Sequence, residues 1–430
     1  MASARFEPSG PLRGTIRPPA DKSISHRAAL IAAMGEGTTR IEGYLDAADT
    51  RSTLAAVAAL GARVEEGPEL GRELKIIGVG LRGPQPAQID VGNAGTLLRL
   101  LPGWLAGQQA GEWTLDGDDS IRRRPVDRVA LPLGEMGAKV EAREGRLPPL
   151  SVRGAALRGI DYEMPVASAQ VKSCLLFAGL LADGETRVKS EHRSRDHTER
   201  MLAAAGASIE RAQAAVIVRR TKRLKPRRID VPADLSSAAF FVVAATLVAG
   251  SEVILERVGV NPTRAGVLTV LERMGADLEV HPEGEHGGEP VARLVVRPAP
   301  LRGTEVGGEE VPLAIDELPL LALAACFAEG TTTIRDAEEL RRKESDRVET
   351  VTAALGALGA NVESTADGMV VQGTGGLRGG AVSSHGDHRI AMLGAIAGLA
   401  SAEGVEVEGM EAAAVSYPGF EADLRSLLGG

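Results

Sequence analysis

Two short signatures return along the chain at near-constant spacing. Leu-Arg-Gly stands at Leu12-Arg13-Gly14, Leu81-Arg82-Gly83, Leu157-Arg158-Gly159, Leu301-Arg302-Gly303 and Leu377-Arg378-Gly379, with Leu224-Lys225-Pro226 filling the gap between the third and fourth. Gly-Ala-x-apolar-Glu begins at Gly61, Gly137, Gly206, Gly275 and Gly359. A repeat of about 70 residues constrains the fold more than any single element does. The sixth Gly-Ala copy would follow LRSLLGG, where the sequence stops, and the sequence starts just ahead of the first Leu-Arg-Gly. The last unit is therefore expected to be split between the termini, which must then lie together.

Each unit reads in one order. An extended run such as GTIRPP or RRIDVP leads to a polar knot: Asp21-Lys22-Ser23, Gly92-Asn93-Ala94-Gly95-Thr96, Ser168-Ala169-Gln170, Asp234-Leu235-Ser236-Ser237, Asp316-Glu317 or Asp387-His388-Arg389. Every knot opens an apolar helix, expected to stop at Gly35, Gly107, Gly184, Gly250, Gly330 or Gly404. A β-branched strand, an amphipathic helix and two more strands follow. The unit is βαβαββ and the class α/β. Two domains of three units fit the length, spanning 21–230 and 1–20 plus 231–430, with crossings near Ala20 and Val231.

Composition narrows the function. Hydrophobic residues make up 44% and charged residues 25% of 430, the balance of a globular protein rather than a disordered one. Apolar stretches such as 240–249 and 318–328 fall short of the ~20 residues of a membrane span. MASARFEPSG has no apolar signal region, and Cys174 and Cys326 lie in apolar helical runs, so a reduced, cytoplasmic chain is expected. A net charge of −9 disfavours nucleic acid, whose binding depends on phosphate neutralisation.

The knots all sit at helix N-termini, where free N–H groups and the helix dipole suit anions. Basic residues recur beside them: Lys22 and Arg27, Arg122 to Arg124 ahead of Pro125 in the first turn of a helix, Arg195, Lys343 and Arg347 on one helix face, and Arg389. Arginine forks grip carboxylate or phosphate, so a polyanionic small-molecule site is indicated. Asp316 is read as ending a strand, VPLAID, where either a helix cap or a general base would stand. Glu344 is read as a surface ion pair or an acid of the site. Ser236 and Ser237 are N-caps or anion donors, and His388 either pairs with Asp387 in catalysis or braces the knot. Gly78-x-Gly80-x-x-Gly83 precedes an extended run instead of a helix, so it is no dinucleotide loop. No Walker A, zinc or nucleophile-elbow motif occurs, and neither metal nor cofactor is expected.

DKSISHRA, GNAGTLLR, RRRPVDR, PVASAQVKS, SRDHTE, AIDELPLLA, RRKESDRVE and GDHRIAM, in that order, resemble the 3-phosphoshikimate 1-carboxyvinyltransferase (EPSP synthase) family. PVASAQVKS and RDHTE resemble its class II branch, whereas Gly95 is typical of the other. The resemblance implies the enolpyruvyl transferase fold, an inside-out α/β barrel repeated in two domains. It implies a monomer, without cofactor, that transfers the enolpyruvyl group of phosphoenolpyruvate to the 5-hydroxyl of shikimate 3-phosphate by addition and elimination. By matching motifs, Lys22, Ser23, Arg27, Ser168, Ala169, Gln170, Arg195, Asp316 and Lys343 would hold shikimate 3-phosphate. Lys22, Gly95, Arg124, Gln170, Arg347 and Arg389 would hold phosphoenolpyruvate. Asp316 would be the base toward the 5-hydroxyl, with Lys22 and Glu344 sharing the remaining proton transfers.

The chain departs from the family in places. Val415-Ser416-Tyr417-Pro418 lacks a lysine that many members carry before the aromatic-Pro pair, and Ala169 and Glu339 replace a serine and an asparagine of another branch. Gly95 leaves room that alanine fills in herbicide-tolerant members, so glyphosate inhibition is expected. Two rivals share the architecture. A UDP-N-acetylglucosamine enolpyruvyl transferase would usually carry a reactive cysteine in the loop that here reads DGDDSIRRRPVD. An RNA 3′-phosphate cyclase-like protein conflicts with the acidic balance.

Overall fold

The computed structural model describes residues 3–67, 73–212 and 215–429. They form two compact units, one of residues 20–232 with 285–289, the other of residues up to Pro19, 233–284 and Pro290 onward. Residues 285–289, at the turn of a hairpin, thus fall outside the range expected for the first unit. Among the described residues, five four-stranded sheets and one of three strands make up the β structure. In a representative unit Gln88–Asp90 lies parallel to Glu112–Asp116, followed by antiparallel Leu147–Arg153 and Lys139–Arg143.

The knot helices run through the interior. Lys22–Met34, Gly95–Ala106 and Ala169–Gly179 belong to the 20–232 unit, and Leu235–Leu247, Leu318–Cys326 and His388–Ala400 to the other. Each is buried over most of its circumference. A helix apolar all round must be a core helix, and LSSAAFFVVAATL meets that condition. The amphipathic second helices, such as Gly266–Met274, bury one face only. Asp21, Ser168, Asp234 and Asp387 cap their helices by accepting from Ile24, Val171, Ser236 and Arg389 N–H groups, each cap worth about 1 kcal/mol.

The chain exchanges strands where it crosses. Arg13–Ile16 pairs in parallel with Glu252–Gly259, whereas Arg228–Asp230 pairs with Glu36–Glu42. These two Leu-Arg-Gly-type runs thus complete sheets of the other half of the sequence. The three-stranded sheet is closed by the N-terminus: Ser3–Phe6 runs antiparallel to Val405–Glu408, and Leu427 near the C-terminus packs 3.4 Å from where a Cβ on Gly14 would stand.

Several local expectations are corrected. Gly35 and Gly107 are C-caps, but Gly184, Gly250, Gly330 and Gly404 lie past their helix ends at φ between +77° and +91°, in the turns before the next strands. VPLA is a short helix, Val311–Ala314, with proline in its first turn, so Asp316 does not end a strand. The helix after Arg122–Arg124 begins at Asp127, and Pro125 lies ahead of it. Both cysteines are free and buried, burial pushing the Cys326 thiol up to about 12.

Candidate active site

In the 20–232 unit, three helix N-termini carry the predicted residues. Asp21 starts the helix bearing Lys22, Ser23 and Arg27. Lys22 Nζ lies 3.1 Å from Asp49 Oδ2 with a quarter of its side chain exposed. Arg27 is 2% exposed and gives Nε to Thr198 Oγ1 (2.7 Å), Nη1 to the Ser23 carbonyl (2.9 Å) and Nη2 to Ser173 Oγ (3.0 Å). Its fork is therefore rigid, and the other N–H bonds of Nη1 and Nη2 remain for a ligand. Burial, aided by the like charge of Arg195, outweighs Asp21 and Glu199 and brings the Arg27 pKa down to about 10.

The Ser168 hydroxyl accepts from Val171 N–H at 3.4 Å, leaving its own proton to donate. Gln170 bridges two helices, accepting from Arg99 Nη1 (3.0 Å) and donating to Thr96 Oγ1 (3.1 Å). Gly95 begins its helix beside Arg124, whose Nη1 lies 2.6 Å from where a Cβ on Gly95 would be. Arg195 is half-buried just before the helix His197–Ala204. Ala169 opens its helix with only backbone and a methyl to offer.

The second unit builds a tighter cluster. One Asp316 oxygen is 3.4 Å from Lys343 Nζ and 3.5 Å from Arg347 Nη1. Arg347, 1% exposed, also reaches Glu344 Oε2 (2.7 Å) and both oxygens of Asp387 (2.9 and 3.2 Å). Burial works against its charge, but Glu344, Asp387 and Asp316 more than offset that and hold its pKa above the usual value. Burial likewise opposes the Asp387 carboxylate, and Arg347 overcomes it and lowers its pKa. Arg389 donates to the Asp316 carbonyl (2.9 Å) and to Ser236 Oγ, with Glu317 Oε1 at 3.5 Å. Ser236 in turn donates to Glu317, whose other oxygen receives Arg264 Nη1 at 2.9 Å.

Three readings change. Lys343 and Arg347 do not share a helix face: Asp346 caps the helix at Val348 and Glu349, so the helix begins at Arg347 and Lys343 lies ahead of it. They meet through Asp316. Ser236 caps nothing, since Asp234 does so, and instead orients Arg389. Glu344 is a partner of the buried Arg347 and no solvated surface pair, while His388 is buried with Nδ1 4.0 Å from Asp387 Oδ1. Asp49, Arg99 and Arg264 were not singled out from sequence, and Glu317 was named only as the second residue of its knot. Arg99 and Glu317 stand within quoted motifs, four residues after Gly95 and next to Asp316; Asp49 and Arg264 carry no motif signal.

A family model for EPSP synthase (3-phosphoshikimate 1-carboxyvinyltransferase) matches residues 6–424. A 3-phosphoshikimate 1-carboxyvinyltransferase of Methylococcus capsulatus is 50% identical over 423 residues, 98% of this chain and 96% of that one. Another, of Geobacter sulfurreducens, is 49% identical with 98% of each chain covered. A solved structure of EPSP synthase from Acinetobacter baumannii superposes with a TM-score of 0.90 at 41% identity, covering 99% of this chain and 98% of that one.

Proposed function

This chain belongs to the EPSP synthase family and has its activity in the shikimate pathway, and we propose that Asp316, Lys22 and Glu344 carry the proton transfers. The substrates are phosphoenolpyruvate and shikimate 3-phosphate; the nucleotide-sugar and RNA-cyclase readings find no support in these likenesses. The single observation that carries the assignment is the position of Asp316, one oxygen shared between Lys343 and Arg347 and its carbonyl held by Arg389. A base toward a ring hydroxyl must be fixed in orientation, and these contacts fix it.

In this reading the Asp316 carboxylate takes the 5-hydroxyl proton as that oxygen bonds to C2 of phosphoenolpyruvate. The electrons of the C2–C3 double bond take a proton from Glu344, giving a tetrahedral ketal phosphate. Glu344 then removes a C3 proton, the double bond re-forms and the C2–phosphate bond breaks. As that bond breaks the ammonium of Lys22 gives its proton to the departing phosphate oxygen, and Arg124, Arg347 and Arg389 meet the charge on the phosphate. Preorganised donors of this kind contribute on the order of 10²–10³ in rate each. Ser23, Arg27, Ser168, Ala169, Gln170 and Arg195 hold shikimate 3-phosphate; their unit offers more cations than acids, whereas the acids of the second cluster already occupy its cations. Shikimate 3-phosphate therefore docks first on the 20–232 unit. We place the enzyme in the cytoplasm as a monomer.

Asp316→Ala and Lys22→Ala test the assignment. Each should melt near the parent and bind shikimate 3-phosphate, yet lose most phosphate release. Near-normal turnover in either would remove that residue from the chemistry.

A further inference from the structure

Residues 219–228, Arg-Arg-Thr-Lys-Arg-Leu-Lys-Pro-Arg-Arg, hold seven cations and no acid in a chain of net charge −9. The two ends are neutralised. Arg219 meets Glu185 at 2.6 Å and Glu210 at 3.2 Å, and Arg228 meets Glu42 at 2.9 Å and Asp230 at 2.8 Å. Between them Arg220, Lys222, Arg223, Lys225 and Arg227 are exposed, and among the described residues none has an ion-pair partner. Arg220, Lys222, Arg223 and Lys225 line an open surface cavity of about 410 Å³ with Ser208 and Thr221, and among the described residues no acidic or aromatic side chain lines it.

The backbone beneath them is rigid. Thr221 N–H donates to the Leu180 carbonyl and Lys225 N–H to that of Ala205, each at 2.9 Å, and Glu36 N–H donates to the Leu224 carbonyl at 2.9 Å. Leu224 and Pro226 are buried and point the intervening cations outward. The place in the fold is distinct from the site above. Leu180 and Ala205 end the helices Ala169–Gly179 and His197–Ala204, whose opposite ends carry Ser168, Gln170 and Arg195. An eleven-residue helix is about 16 Å long. The charge of Arg220 is also felt nearby: after burial, it is the next cause that lowers the pKa of Arg82.

Cations at helix C-termini complement the helix dipole, which accounts for one or two charges but not for four around a concavity without an acid. Such a set repels itself until an anion enters, and arginine forks with a lysine point charge suit phosphate or carboxylate groups. The volume suits a small molecule, and the lack of an aromatic lining disfavours a stacked base. We propose that this cavity binds a small polyanion carrying several phosphate or carboxylate groups, independently of the two substrates.

The test is calorimetric titration of the full-length enzyme, its substrate site filled with shikimate 3-phosphate, with inorganic tripolyphosphate in one arm and citrate in the other. The tighter arm identifies the anion class. One equivalent should bind, more weakly as salt rises. Combined Arg220→Ala, Lys222→Ala, Arg223→Ala and Lys225→Ala should weaken binding at least about tenfold and leave phosphate-release turnover unchanged, which also checks folding. A charge-matched control, Arg63→Ala, Arg153→Ala, Arg342→Ala and Arg425→Ala, should bind as the parent does. Lys222→Glu alone should weaken binding in the same direction if the fourfold variant does not fold. Absence of binding in both arms, equal weakening in the control, or binding of single-stranded RNA but of neither small anion would overturn the proposal.

Discussion

Gly95→Ala isolates the Arg124 contact. Gly95 has no positive φ, so alanine fits the backbone, and at a helix start it stabilises by up to about 1 kcal/mol. The obstacle is the side chain: the new Cβ would lie 2.6 Å from Arg124 Nη1, where ordinary contact begins at 3.4 Å. The guanidinium must therefore give by about 0.8 Å, the difference of those two distances. Misplacement by about 1 Å in a reacting constellation costs up to about 10²-fold. We expect kcat/KM for phosphoenolpyruvate to fall roughly 10- to 100-fold, about 1.4–2.7 kcal/mol, mainly through KM. The assay is phosphate release against phosphoenolpyruvate at saturating shikimate 3-phosphate, with a melting curve to show an intact fold. An unchanged KM for phosphoenolpyruvate, or an equal rise in that for shikimate 3-phosphate, would refute the placement of Arg124.

Glu317→Gln should raise KM for phosphoenolpyruvate about tenfold by loosening Arg389 and lower stability by about 1–3 kcal/mol by weakening the pairing of buried Arg264, which keeps Asp234 at 3.7 Å; unchanged kinetics would separate Glu317 from the site. His26 is buried against Thr53, and burial with the charges of Lys22 and Arg27 brings its pKa down to about 3. The unfolded chain then takes up this proton first as pH falls, so stability should drop below pH 6.5 by about 1.4 kcal/mol per unit at full slope. His26→Asn should remove one proton from that slope in urea melts between pH 6 and about 4.5; an unchanged slope would contradict the neutral buried imidazole. Glyphosate should inhibit in competition with phosphoenolpyruvate, and full activity at millimolar glyphosate with phosphoenolpyruvate near its KM would contradict a sensitive site with glycine at 95, where the Cβ that an alanine adds would crowd Arg124.

The repeat was legible because each unit must present the same alternation of buried strand, core helix and amphipathic helix. The strand exchange was not. Arg13–Ile16 and Arg228–Asp230 follow equivalent signatures, and nothing local distinguishes which sheet each joins. VPLAID read as a strand because a short apolar run has no period of its own, and Pro312 in the first turn was the missed sign of a helix. Lys343 was misplaced because i, i+4 spacing has meaning only inside a helix, and Asp346 starts that helix later. The knot residues were visible through repetition. Asp49 and Arg264 stand outside the knots, and only the folded chain brings them to Lys22 and Glu317.

The most direct measurement is phosphate release from phosphoenolpyruvate, offered in parallel with shikimate 3-phosphate and with UDP-N-acetylglucosamine. Release that requires shikimate 3-phosphate, and that collapses in Asp316→Ala, is the predicted result. Release with the nucleotide sugar, or with neither acceptor, would contradict the account.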